Sequence, residues 1–156
     1  MGRTIIISTG SLSLTMGSLL APLSSGTGYR EKVNPASISY SSYGTTIVEA
    51  PLYELKHLWP IQVRLNATDS LTLERIFHEW DATKTAITVQ DYLRPFTENS
   101  PRTRAIATGA SEVTANGKVS YFARFKAHFS GEPRWSNSGR FKLCQFELEE
   151  DAATTA

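Results

Sequence analysis

"SLTLERIFHEWD", residues 70–81, decides how the rest of the chain is read. Leu73, Ile76, Phe77 and Trp80 fall at i, i+3, i+4 and i+7, a single apolar stripe at 3.6 residues per turn. Arg75 and His78 lie opposite, Glu74 and Glu79 flank the stripe, and Leu71 sits off it. Asp69 or Ser70 offers an N-cap oxygen to an unpaired first-turn amide. A helix this short does not hold by itself in water, so it needs a surface to pack on. The expectation is a helix over about residues 69–81 whose face, Leu73, Ile76, Phe77 and Trp80, covers a β-structure.

The flanking sequence supplies that structure. In "IQVRLNA", residues 61–67, Ile61, Val63 and Leu65 alternate with Gln62, Arg64 and Asn66, the pattern of a half-buried antiparallel strand. "AITVQDYL", residues 86–93, reads as a strand, and "RPFTENSPR", residues 94–102, as an irregular loop. Asn116-Gly117 sits between two strand-like runs, and both residues tolerate the positive φ of a type I′ turn. The outgoing run alternates for eleven residues, 119–129. Val119, Tyr121, Ala123, Phe125, Ala127 and Phe129 share one face; Ser120, Phe122, Arg124, Lys126 and His128 share the other. "SGEPRWSNSG", residues 130–139, reads as a loop. In the final strand the pairs Phe141/Leu143 and Phe146/Leu148 are out of phase, which predicts a bulge near Cys144-Gln145. Short strands are expected at 38–40 and 46–50. Pro51 and Pro60 fit poorly inside a central strand.

The fold class is therefore mainly β: an antiparallel β-barrel or sandwich with one covering α-helix. A chain of 156 residues makes one such domain, expected over 31–150. Residues 1–30 read as a strand-like arm and loop, with Leu12, Leu14 and Met16 alternating with Ser11, Ser13 and Thr15. The Ser/Gly-rich stretch at 24–36 separates it from the body, so the arm is expected to add a strand to a neighbouring subunit. The tail, 151–156, is expected to be disordered.

Composition narrows the function. The net charge of +1 gives no global electrostatic drive toward nucleic acid, and no run approaches the length of a membrane span. The one cysteine, Cys144, excludes an internal disulfide and reads as a small buried apolar residue. No nucleophile elbow, phosphate-cradling loop or dinucleotide glycine pattern is present. His57, His78 and His128 lack metal-ligand spacing, and Asp69, Glu74, Glu79 and Asp81 read as the polar side of the helix. The expectation is a protein without enzymatic activity, catalytic residues, cofactor or metal.

Charge is nevertheless uneven. Residues 94–142 hold nine basic and three acidic residues. Phe122, Arg124, Lys126 and His128 form a basic-aromatic face of the kind that stacks bases and holds phosphates. Glu147, Glu149, Glu150 and Asp151 make an acidic terminus. In a head-to-tail assembly, Glu147 and Glu149 of one subunit are expected to meet Arg124 and Lys126 of the next, steering register more than affinity.

The order of elements, "PIQVRLNA", then "SLTLERIFHEWD", then "AITVQDYL", then further strands ending in "FELEE", resembles the small tail-tip proteins of long-tailed bacteriophages, the minor tail and distal tail family. The resemblance covers roughly residues 46–150 and is one of element order, without a diagnostic motif. It implies a β-barrel or sandwich core with one covering helix. It also implies a virion structural subunit, assembled in the host cytoplasm, that closes a homo-oligomeric ring and joins the tail tube to hub, tape-measure or baseplate proteins. The alternatives are a nucleic-acid-binding β-module using Phe122, Arg124, Lys126 and His128, and a neck or tail-terminator ring at the other end of the tube.

Overall fold

The computed structural model describes residues 4–17, 21–23, 27, 30–32, 38–40, 46–48 and 56–152. The strands are β1 (Ile5–Ser8), β2 (Ser13–Met16), β3 (Arg30–Lys32), β4 (Ile38–Tyr40), β5 (Thr46–Val48), β6 (Lys56–Leu65), β7 (Ile87–Asp91), β8 (Phe96–Asn99), β9 (Ala105–Ile106), β10 (Val113–Ala115), β11 (Lys118–Tyr121), β12 (Ala123–Phe129), β13 (Arg134–Ser138) and β14 (Phe141–Ala152). One helix, α1 (Ala67–Thr83), follows β6. The main sheet runs β2-β1-β7-β12-β14-β6-β3, with β13 beside β14 and β9 beside β12. It is antiparallel and curls into a half-barrel, with α1 packed on it. Two smaller sheets, β10-β11-β8 and β4-β5, complete the pairing.

The expected mainly-β fold with one helix is what the chain adopts. Asn66 caps α1, where Asp69 or Ser70 was expected: the Asp69 amide donates to Asn66 Oδ1 at 2.8 Å. Asn66 is the last residue in extended backbone, so its side chain alone reaches the open amides. Asp69 then sits inside the first turn, where its charge favours the helix dipole. At the other end Lys84 takes the left-handed conformation, and its amide donates to the Trp80 carbonyl.

The stripe reads correctly, with graded burial. Leu73 and Ile76 are fully buried, while Phe77 and Trp80 are half-buried and pack against Phe129 at 5.2 and 5.6 Å between ring centroids. Leu73 and Ile76, in the middle of the helix, belong to the common core, and Phe77 and Trp80 pack against it while partly exposed. The deepest contacts of α1 are therefore aliphatic. Ile76→Ala is expected to cost about 2–5 kcal/mol by removing buried methyl groups and leaving a cavity. Leu71→Ala, at a 57% exposed side chain, should stay within about 0.5 kcal/mol. Urea denaturation of both variants measures the contrast.

Several boundaries move. Residues 4–17 do not form an arm apart from the body: β1 pairs with β7 in register Ile5↔Asp91, and β2 folds back on β1. Ile5, Ile7, Leu14 and Met16 are buried in the common core. Three consecutive isoleucines, Ile5 to Ile7, take a central ladder position because their β-branched side chains suit a pleated, buried surface. The stretch read as a loop at 94–102 contains β8, and the one at 130–139 contains β13. Both are short strands whose polar residues are held by ladders to β11 and β14. The eleven-residue run 119–129 divides at Phe122 into β11 and β12, which belong to different sheets; its buried face is as expected.

Pro60 lies inside β6, against expectation, between Trp59 and Ile61 and opposite Glu147. Backbone parity explains it. The amides of Gln62 and Arg64 point away from β14, to Thr27 Oγ1 and the Pro22 carbonyl. Pro60 shares their parity, so its missing N–H falls on the outer edge of β6, beyond the last β3 pairing at Leu58. The expected bulge at Cys144-Gln145 is absent: β14 pairs with β6 without interruption from Lys142 to Glu149. Cys144, Phe146, Leu148 and Glu150 face the core. Phe141 and Leu143 face outward, with the Arg64 guanidinium 4.4 Å above the Phe141 ring. The register shift lies instead between β12 and β14, where Lys126 pairs with Ala152 and Ala127 with Glu150, leaving Asp151 as the extra residue. β14 thus includes the first two residues of the stretch expected to be a disordered tail, and 153–156 lie outside the described residues.

Candidate functional site

Two groups of polar side chains stand out, one on the outer face of β12 and one inside the half-barrel. The outer face carries the predicted residues Phe122, Arg124, Lys126 and His128. Phe122 packs on Tyr92 at 6.1 Å between rings. Arg124 donates to Thr108 Oγ1 at 3.1 Å, while its Nε is buried without a hydrogen-bond partner. Lys126 is exposed. His128 stacks on Trp80 with an 18° interplanar angle, faces Asp151 through Nδ1, and has Glu149 3.9 Å from Nε2.

The acidic terminus meets this face within the same chain. Glu149 is the cross-strand partner of His128, and the bulge turns Asp151 toward the same ring. Glu147 pairs with Pro60, on the opposite flank of β14 from β12. In register it lies five residues from Ala152, the partner of Lys126, roughly 17 Å along the strand. Of the four residues expected to pair between subunits, then, Glu149 lies against the β12 face of its own subunit, while Glu147 and Lys126 are far apart.

Sequence reasoning missed the interior group. Arg104, in the segment before β9, reaches the fully buried Glu150 with both arms of its guanidinium: Nε to Oε2 at 2.8 Å and the second amino group to Oε1 at 2.9 Å. Its Cζ sits 4.7 Å from the Phe96 ring centre and 5.7 Å from that of Phe125. Glu98 lies 3.8 Å away and accepts from the Tyr121 hydroxyl at 2.7 Å and from Thr103 Oγ1 at 2.6 Å. His57 is buried next door, edge-on to Phe96 at 5.1 Å. A signal was present: Glu150 has the parity of Cys144, Phe146 and Leu148, which places a carboxylate on the core face, where it needs a partner.

The titration of these groups follows from their surroundings. Burial disfavours the charge on Arg104, but the Glu150 carboxylate more than offsets it and holds the guanidinium above its usual range. Burial also opposes charge on Glu98; the Thr103 and Tyr121 hydrogen bonds and the Arg104 charge outweigh it and hold its carboxyl below the usual range. Asp91, buried on β7 opposite Ile5 of β1, is pushed up by desolvation despite donors from the Leu93 amide and Trp59 Nε1. Burial raises the Cys144 thiol to about 12, so it is an inert core residue at neutral pH. A lowered carboxylate contributes stability above its unfolded pKa, here 4.5, and that contribution is lost as pH falls through the folded value. Glu98→Gln should therefore flatten the fall of melting temperature below about pH 4.5, as read by scanning calorimetry at a series of pH values.

A polar groove of about 460 Å³ opens beside β6 and β14, lined by Pro60, Gln62, Glu132, Arg134, Gln145 and Glu147 among others. Among the described residues, no three His, Cys, Asp or Glu side chains converge as a metal site, and no helix is long and apolar enough to cross a membrane. No family model, curated protein or solved structure matches this chain.

Proposed function

We propose that this chain is a ring-forming structural subunit of a bacteriophage tail, at the tip, baseplate or tube end, where it contacts tube, hub or tape-measure proteins. The observation that supports this reading is the open half-barrel. Among the described residues β2 pairs only with β1, and in the proposed ring its other edge takes a strand of the neighbouring subunit. An open edge is an aggregation hazard in a free monomer and a joint in a closed ring. The single helix covering a curled antiparallel sheet matches the element order that carried the resemblance.

The nucleic-acid reading of the β12 face is weakened by its surroundings. Phe122 packs on Tyr92, and two carboxylates stand against His128. Two measurements test the structural reading. Negative-stain imaging of the purified protein should show rings of one diameter. Mass spectrometry of purified virions from a phage encoding this sequence should detect the chain at a fixed ratio to the tube protein. A monodisperse monomer together with absence from the virion would refute it.

A further inference from the structure

Among the described residues, five strands of the main sheet and the β10-β11-β8 sheet, each of three residues or more, have one partner strand: β2, β3, β8, β10 and β13. Open edges are ordinarily guarded by charge or proline against pairing with another chain. β3 is Arg30-Glu31-Lys32, β8 carries Glu98 between Pro95 and Pro101, and β13 starts at Arg134 after Pro133. β2, Ser13 to Met16, and β10, Val113 to Ala115, contain neither charge nor proline.

Backbone parity turns defined residues of both edges outward. The Thr9 amide donates to the Leu12 carbonyl at 2.8 Å across the β1–β2 turn, so Ile7/Leu14 and Ile5/Met16 are the hydrogen-bonded pairs of that ladder. Ser13 and Thr15 therefore direct their N–H and C=O groups away from β1. The Tyr92 amide donates to the Thr4 carbonyl, which fixes the same parity from the β7 side. In the other hairpin, Asn116-Gly117 makes a two-residue turn, so Ala115 and Lys118 pair through the backbone and Thr114 points its N–H and C=O away from β11. All three residues of β10 are exposed, so the strand is bare on both faces. Val113, 68% exposed, is the most exposed large apolar side chain among the described residues. A strand bare on both faces buries little within its own chain and is suited to add to the sheet edge of another.

We propose that β10 of one subunit adds antiparallel to β2 of a second copy of this chain, with Thr114 opposite Thr15. The inference rests on the ring reading above and names the two edges that form its joint. A head-to-tail contact needs two different surfaces on each subunit, and these are the two unguarded edges of different sheets. The joint is made by backbone bonds between uncharged strands, so association should be insensitive to salt. Cysteine cross-linking tests it on the full chain. In a hydrogen-bonded antiparallel pair the Cα atoms lie about 5.5 Å apart, within disulfide reach. A variant carrying both Thr15→Cys and Thr114→Cys should give a ladder of covalent oligomers on a non-reducing gel after mild oxidation. Each single variant should stay at the monomer band, because Cys144 is buried. Thr114→Pro removes an outward amide and no bond to β11, and should weaken association about tenfold in sedimentation velocity. Circular dichroism confirms that each variant is folded; should Thr114→Pro unfold, Val113→Lys, at an exposed side chain, should still weaken association about threefold. Rings that persist unchanged in the folded edge variants, with no ladder from the double cysteine variant, overturn this joint and leave the ring reading standing. Ladders of equal extent from the single variants also overturn it. A wild-type chain that stays monomeric, with no ladder from the double variant, overturns the joint as well, and the virion measurement then decides the ring reading separately.

Discussion

Glu150→Ala is expected to destabilise the fold by about 3–5 kcal/mol, because it leaves the Arg104 guanidinium buried without its counter-charge. Glu150 is fully buried and Arg104 only 7% exposed, so solvent cannot replace the lost partner. Glu98, at 3.8 Å, is already engaged by Thr103 and Tyr121 and compensates only in part. The pair fastens the end of β14 to the segment before β9, and Phe96 and Phe125 close over it. The double variant Arg104→Met with Glu150→Leu should recover most of the loss, since well-packed apolar side chains of similar size often replace a buried ion pair at little cost. Urea denaturation of the two single variants and the double gives the coupling energy directly. Additive losses, with no recovery in the double variant, would show that the pair does not act as a unit.

Removal of residues 1–16 should abolish cooperative folding. Ile5, Ile7, Leu14 and Met16 are each at most 3% exposed, and each contributes about 1.5–3 kcal/mol of burial. Their sum is comparable to the whole stability of a typical domain, about 5–15 kcal/mol. The deletion also strips β7 of its β1 ladder and bares the face of α1 that packs on β2. The truncated chain should lack a thermal transition by circular dichroism and should bind a hydrophobic dye. A truncated protein that melts cooperatively would restore the picture of an N-terminal arm that serves assembly alone. The difference between the two pictures is physical: an arm carries its apolar residues to a partner, whereas these four side chains meet Ile87, Val89 and the helix of their own chain in a single cluster.

The local patterns that were legible in the sequence each rest on a period or a turn chemistry. The stripe Leu73, Ile76, Phe77, Trp80 specified the helix and its buried side, because only a 3.6-residue period brings those positions together. Asn116-Gly117 specified its hairpin: both residues have positive φ, 53° and 75°, with Ala115 and Lys118 paired across the turn. The alternation at 119–129 named every buried residue of β11 and β12. What the sequence left open depends on which strand lies beside which. Pro60 is tolerated in β6 because its nitrogen happens to face the outer edge, a fact fixed by register. Phe141 and Leu143 stay on the outer face because β14 keeps its pairing with β6 unbroken, and its one extra residue, Asp151, falls beside β12. The ion pair of Arg104 and Glu150 joins residues 46 positions apart: strand parity puts Glu150 on the core face, but nothing local names Arg104 as its partner. Arg64, distant in sequence, is brought beside Phe141 only by the β6–β14 ladder. Periodicity and turn chemistry act over a few residues and are written in the chain itself; register, edges and buried charge pairs arise between segments, and only the folded sheet decides them.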